Sequence, residues 1–162
     1  MIKVGILSDT HGTIHPRIVE LMNDCDYVIH AGDVMEEDSL EQINPRQRML
    51  AVRGNNDGHI ASLSDIESLD LPGGAIVVEH GHMHGHYEPS HESLRAAHPK
   101  AKAIIYGHTH VQVIDDKQSP WVINPGSAGP VRNYGGARCL LLTIENQDEW
   151  NIKSHVYDDI FS

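Results

Sequence analysis

Short apolar runs alternate with polar clusters along the chain, and the spacing of the apolar positions identifies the elements. Residues 2–8 (IKVGILS) form an apolar run suited to a buried strand. Residues 15–24 (HPRIVELMND) place Ile18, Leu21 and Met22 at helical spacing behind Pro16, a residue favoured in a first helical turn. Residues 26–30 (DYVIH) read as a strand, 36–43 (EEDSLEQI) as a short helix and 48–53 (RMLAVR) as a third strand. This β-α-β-α-β order predicts a mainly parallel sheet flanked by helices. The second part has a different rhythm. The runs at 65–71 and 75–80 flank a turn-forming PGG at 72–74 and predict a hairpin. A helix near 91–98 precedes a strand at 102–107, and the runs at 111–116, 121–126, 137–146 and 149–157 predict strands in antiparallel or mixed arrangement. Both halves fit one α/β domain over residues 1–162: two mixed β-sheets packed as a sandwich, flanked by helices.

Five of the predicted strands run into polar clusters: ILSDTH, VIHAGD, AVRGNND, VVEHGH and IIYGHTH. Any one of them reads as a capped strand end, because Asp and Asn often start a turn. Together they put His, Asp and Asn at the carboxyl ends of several strands, where open α/β sheets bind ligands. Carboxylate, imidazole and amide oxygen suit Mn²⁺, Fe²⁺, Zn²⁺ or Ni²⁺ better than Mg²⁺ or Ca²⁺, and without a thiolate a closed structural zinc site is excluded. Asp9, His11, Asp33, Asn55, His80, His108 and His110 are too many for one ion. Two ions sharing a carboxylate would use all seven, an arrangement that clamps the oxygens of an in-line displacement between metals ~3.5–4 Å apart.

Composition narrows the function classes. The formal charge of −11 excludes nonspecific binding to nucleic acid or an anionic membrane, both of which need a basic face. No apolar stretch reaches the ~18 residues of a membrane span, and the N-terminus lacks a signal-peptide pattern. Cys25 and Cys139 have no partners at metal spacing and are expected to be free and reduced, which fits a cytoplasmic protein.

The motifs DTH at 9–11, GD at 32–33, GNND at 54–57, HGH at 80–82 and GHTH at 107–110 resemble, in order and spacing, the five blocks of the calcineurin-like metallophosphoesterases. The short length and the NPGS at 124–127 resemble the small bacterial and archaeal phosphodiesterases related to the retromer cargo-binding subunit. The resemblance implies that Asp9, His11 and His110 hold one divalent transition-metal ion, foremost Mn²⁺. It implies that Asn55, His80 and His108 hold a second and that Asp33 bridges both. A metal-bridging hydroxide would then attack a small phosphate ester in line, most simply a diester. Many members carry a His after Gly-Asn, considered to stabilise the transition state or protonate the leaving group. Here Asn56 stands there, and an amide can donate a hydrogen bond but not a proton at neutral pH. Asp57 is a candidate for orienting a ligand, and His82 for contacting phosphate. His84 and His86 read as loop residues, His30 as a packed core histidine, and Arg53, Arg132 and Tyr134 as phosphate contacts or surface residues. Small relatives often form dimers or tetramers. The competing readings are a phosphomonoesterase, a metal-binding protein without hydrolysis, and a protein-binding scaffold of the retromer-subunit type.

Overall fold

Strand β1 (Ile2–Leu7) shows how the layers are built, because its side chains alternate between two cores. Val4 and Ile6 face a second sheet, while Leu7 faces helix α1 (Pro16–Asn23) with Ile18 and Met22. Gly5 lies beneath α1, and a Cβ there would collide with the Met22 sulfur. The computed structural model describes residues 1–158. Among them, β2 (Tyr27–His30) and β3 (Arg48–Ala51) follow β1 in parallel, as the sequence predicts. The short helix after β2 is a 3-10 helix over Glu37–Gln42. Strand β1 and the strand at Gly74–Glu79 stop one residue before the end of their predicted runs, where Ser8 and His80 turn into loops, whereas the strands at Ala137–Asn146 and Glu149–Tyr157 match theirs in full.

The second sheet begins with the expected hairpin, β4 (Ile66–Leu71) and β5 (Gly74–Glu79). It continues through β6 (Ala103–Ile105), β7 (Val113–Asp115) and β8 (Trp121–Asn124) in the order β4-β5-β6-β8-β7. Helix α2 (His91–Ala97) covers its outer face, with Leu94 packed on Ile104, Tyr106 and Val122. The last hairpin, β9 (Ala137–Asn146) and β10 (Glu149–Tyr157), leaves this sheet and completes the first, with β9 antiparallel to β1. The result is a helix-sheet-sheet-helix stack of two mixed five-stranded sheets. The main core lies between the sheets and includes Ile6, Ile29, Ile76, Val78, Ile105, Ile123, Leu140 and Trp150. Trp150 closes one edge, donating Nε1–H to the Pro72 carbonyl at 2.8 Å and meeting Trp121 edge-on at 6.2 Å. No helix among the described residues is long and apolar enough to cross a membrane.

Candidate metal centre

The loops after β1, β2, β3, β5 and β6 meet at one rim of the sandwich, which brings all seven candidate ligands together. The backbone continues to pair beyond the strands: Asp9 N–H donates to Gly32 O at 2.9 Å and His11 N–H to Asp33 O at 3.0 Å. This fixes the first two loops side by side. Five candidate ligands occupy the left-handed region, with φ of 54° at Asp9, 49° at His11, 56° at Asp33, 73° at His108 and 66° at His110. Asp and His enter that region more readily than most residues. Each such conformation still costs about 1–2 kcal/mol, so surrounding bonds must hold it.

Those bonds come from buried side chains. Both oxygens of Asp57 are used by backbone N–H groups, from Val34 at 3.0 Å, Gly54 at 2.9 Å and Met35 at 2.8 Å. Asp57 thus ties the Asp33 loop to the Asn55 loop. Asn124 donates to Gly107 O at 3.0 Å and Thr109 Oγ1 at 2.9 Å, bracing the loop that carries His108 and His110. Ser127 donates to the carbonyl of Asp9 at 3.0 Å. The NPGS segment is therefore a brace for two ligand loops, a role that its turn-like sequence did not disclose. Close approach also requires glycine. A Cβ on Gly54 would strike the backbone nitrogen of Asp33, and one on Gly107 would strike Ser8 Oγ.

Three ligand imidazoles have their tautomer set by a backbone carbonyl. His80 Nδ1 donates to Ala31 O and His110 Nδ1 to Val131 O, both at 2.7 Å, so each neutral ring turns an Nε2 lone pair inward. His108 is reversed: Nε2 donates to the His86 carbonyl, and Nδ1 faces Asn55 Oδ1 at 3.2 Å. Acceptors therefore face acceptors. His80 Nε2 is 3.0 Å from Asn55 Oδ1, 3.5 Å from Asp33 Oδ1 and 3.9 Å from Asp9 Oδ1. His110 Nε2 is 3.5 Å from Asp9 Oδ1 and 3.2 Å from His11 Nε2. Two nitrogens bound to one ion at ~2.1 Å lie about 3.0 Å apart at a right angle and about 3.4 Å apart at a tetrahedral one. Asp9 Oδ1 is buried and has no hydrogen-bond donor. One ligand atom from each of Asp9, His11, Asp33 and His110 lies within 4.8 Å of the others. A buried oxygen without a donor, surrounded by inward lone pairs, fits a cation.

Without metal, protons take over part of the cation's place: burial opposes a charge on His80, but Asp33 and Asp9 outweigh it and raise its pKa. Burial pushes the Asp9 carboxyl up to about 7, with a further push from Asp33 and partial relief from His80. Burial would raise Asp33 as well, but His80 and the two Asn56 donors outweigh it and hold that carboxyl well below the usual range. Burial drives His110 down to about 4, leaving its lone pair available.

The other sequence candidates separate by position. Asn56 spends its amide N–H on Asp33 Oδ2 at 3.0 Å and its backbone N–H on Asp33 Oδ1 at 3.1 Å. His82 stands beside His80 and His108, with ring centres 5.5 and 6.3 Å away, and its buried Nδ1 has no partner. His30 is the packed histidine expected: Nδ1 accepts from Gly32 N–H at 3.1 Å and Nε2 pairs with Thr10 Oγ1 at 3.0 Å. Arg53 donates to the Leu63 carbonyl at 2.6 Å and faces Asp65, which spends it on structure. His84, read from the sequence as a loop residue, is anchored by side chains on other elements. It pairs with Glu79 at 2.9 Å and Ser93 Oγ at 2.6 Å, and His98 takes the other Glu79 oxygen.

Residues 2–147 match the calcineurin-like phosphoesterase superfamily domain. The chain belongs to that superfamily. A probable metallophosphoesterase of Mycoplasma genitalium is 32% identical over 159 residues, covering 92% of this chain and 91% of its own length. A phosphodiesterase of Methanocaldococcus jannaschii is 34% identical over 142 residues, covering 76% and 82%. The crystal structure of a single-site variant of Vps29 from Entamoeba histolytica superposes with a TM-score of 0.82 at 20% identity, covering 96% of this chain and 92% of that one. At that identity the likeness concerns the fold alone, which is the two-sheet sandwich of this superfamily.

Proposed function

We propose that the chain is a dinuclear metal-dependent phosphodiesterase acting on a small phosphate ester. The observation that carries this is the meeting of inward-facing lone pairs with the donorless Asp9 Oδ1, around a carboxylate, Asp33, that lies between two ligand groups. Asp9, His11 and His110 would hold one ion, Asn55, His80 and His108 the other, with Asp33 shared. The mixed nitrogen and oxygen donors suit Mn²⁺ first, with Ni²⁺, Fe²⁺ and Zn²⁺ as alternatives. When bound, such ions supply an activated water at neutral pH and neutralise charge on phosphoryl oxygens.

The chain's own groups do the remaining work. Carbonyls of Ala31, Val131 and His86 keep three imidazoles oriented. Asn56 steadies the shared carboxylate rather than protonating a leaving group. His82, with its unpartnered nitrogen near His80 and His108, is the side chain available to contact the ester. Without a built-in acid at Asn56, esters whose leaving group departs as a stable anion are favoured. The full set of seven candidate ligands supports hydrolysis over a scaffold role, and the archaeal relative named as a phosphodiesterase supports a diester. The test is hydrolysis of bis(p-nitrophenyl) phosphate with Mn²⁺, before and after chelation. Turnover that disappears on chelation and returns with metal is expected, with p-nitrophenyl phosphate cleaved more slowly. Absence of turnover with every divalent ion overturns the reading.

A further inference from the structure

We infer that the groove beside Asn55 and His108 binds a planar aromatic substituent of the phosphate ester, with Tyr87 and Tyr134 as its stacking surfaces. The inference rests on the hydrolase reading above and narrows its substrate class. The groove encloses about 590 Å³ and is lined by Asn55, His108, Tyr87, Val111, Arg132 and Tyr134. That volume is of the size that binds small molecules.

The fate of the tyrosines singles the groove out. Tyr27 packs against the inter-sheet core and Tyr157 stacks on His15, while Tyr106 borders the groove but is itself buried, its hydroxyl paired with His91. Tyr87 and Tyr134 are instead 87% and 58% exposed, and both line this groove. Each stands on a loop tied to a ligand histidine. His86, next to Tyr87, offers its carbonyl to His108 and packs its ring edge-on against Tyr87 at 4.7 Å. Val131, three residues before Tyr134, offers its carbonyl to His110. The second loop is also braced internally. Asn133 donates to Gly129 O at 3.2 Å, and Arg138 donates to Tyr134 O at 2.9 Å. Arg132 and Tyr134 take left-handed backbone conformations, φ 46° and 51°, within that brace. Arg132 lines the groove together with Asn55 and His108, which gives it a cation for the phosphate end of the ester. Glu88 also lines the groove and disfavours a second anionic group there. A neutral ring that stacks on tyrosine fits those conditions, because every aromatic base or aryl group offers a π-face.

The test uses three diesters that share p-nitrophenolate as the leaving group and differ in the other substituent: thymidine 5′-yl, phenyl and methyl. With the Mn²⁺-loaded protein, kcat/KM for the two aromatic esters should exceed that for the methyl ester by roughly ten-fold. Tyr134→Ala and Tyr87→Ala should each shrink that ratio several-fold, and Tyr134→Phe should preserve it. A readout free of turnover is calorimetric binding of thymidine 5′-monophosphate against ribose 5-phosphate, with the nucleotide expected roughly ten-fold tighter. A thymidine ester cleaved faster than the phenyl ester assigns the groove to a nucleoside; equal rates assign it to any aryl group. Methyl and aromatic esters cleaved equally well overturn the aromatic subsite and leave the hydrolase standing. Failure of all three esters to turn over with metal overturns the hydrolase reading itself.

Discussion

The two ligand groups that meet at Asp33 use similar side chains in different settings. Asp9, His11 and His110 join Asp33 in a group whose ligand atoms lie within 4.8 Å, with Asp9, Asp33 and His110 buried. That group contains two carboxylates. Asn55, His80 and His108 contribute a neutral amide and two imidazoles; His80 is buried, His108 is half-buried and Asn55 is exposed. With Asp33 shared, a divalent ion gains more from two carboxylates in a poorly solvated pocket than from one carboxylate and a surface amide. The proposed assignment therefore predicts two affinities: a tighter inner position and a more exchangeable outer one beside the proposed groove.

The largest effect belongs to the residue common to both. Asp33→Ala should abolish turnover, by roughly a thousand-fold or more, and strip both ions, read as metal content per chain. One ion still firmly bound would break the shared-carboxylate picture. The next step compares the two sides. Asn55→Ala should retain one tightly held ion and lose roughly 100-fold in rate, whereas His110→Ala should lose the tight ion. Equal losses, or the reverse order, would remove the inner-outer distinction.

A smaller effect concerns the floor under the inner side. Burial holds His30 down at about 4, below its ordinary 6.5, because the ring is sealed in the interior and accepts the Gly32 N–H. The unfolded chain therefore binds the extra proton first. The contribution of His30 is complete above about pH 6.5 and is lost as pH falls toward 4, by roughly 3 kcal/mol. Urea unfolding of the metal-free protein at several pH values should show this slope, and His30→Gln should flatten it. The smallest effect is that of Ser127→Ala. Loss of the bond to the Asp9 carbonyl should cost about 1 kcal/mol and lower the rate a few-fold. No change in either would mean that the inner loop does not need its brace.

Much of the fold was legible. The continuous apolar run of β1 and the helical spacing in α1 are local signals, so the β-α-β-α-β start and the hairpin at 65–80 followed directly. Sheet membership did not. Nothing in the local pattern of residues 137–157 says that Leu142 will pair with Val4 rather than extend the sheet beside it. The residues that meet at the rim were readable because one His, Asp or Asn after another ended a strand. Asp57, Asn124 and Ser127 were obscure because Asp, Asn and Ser commonly serve turns, and their partners lie on distant loops. Glu79 was silent for the same reason: its two histidine partners are 5 and 19 residues away on separate elements.

The sequence by itself determined which chemical groups this protein owns and that they stand where strands end, because side-chain identity and local periodicity are written residue by residue. Only the tertiary structure decided how those groups face one another. The tautomer of each imidazole, the left-handed turns of Asp9 and Asp33, the contrast between a buried and an open ligand group, and the two tyrosines sharing one groove all depend on carbonyls, N–H groups and surfaces contributed by remote parts of the chain.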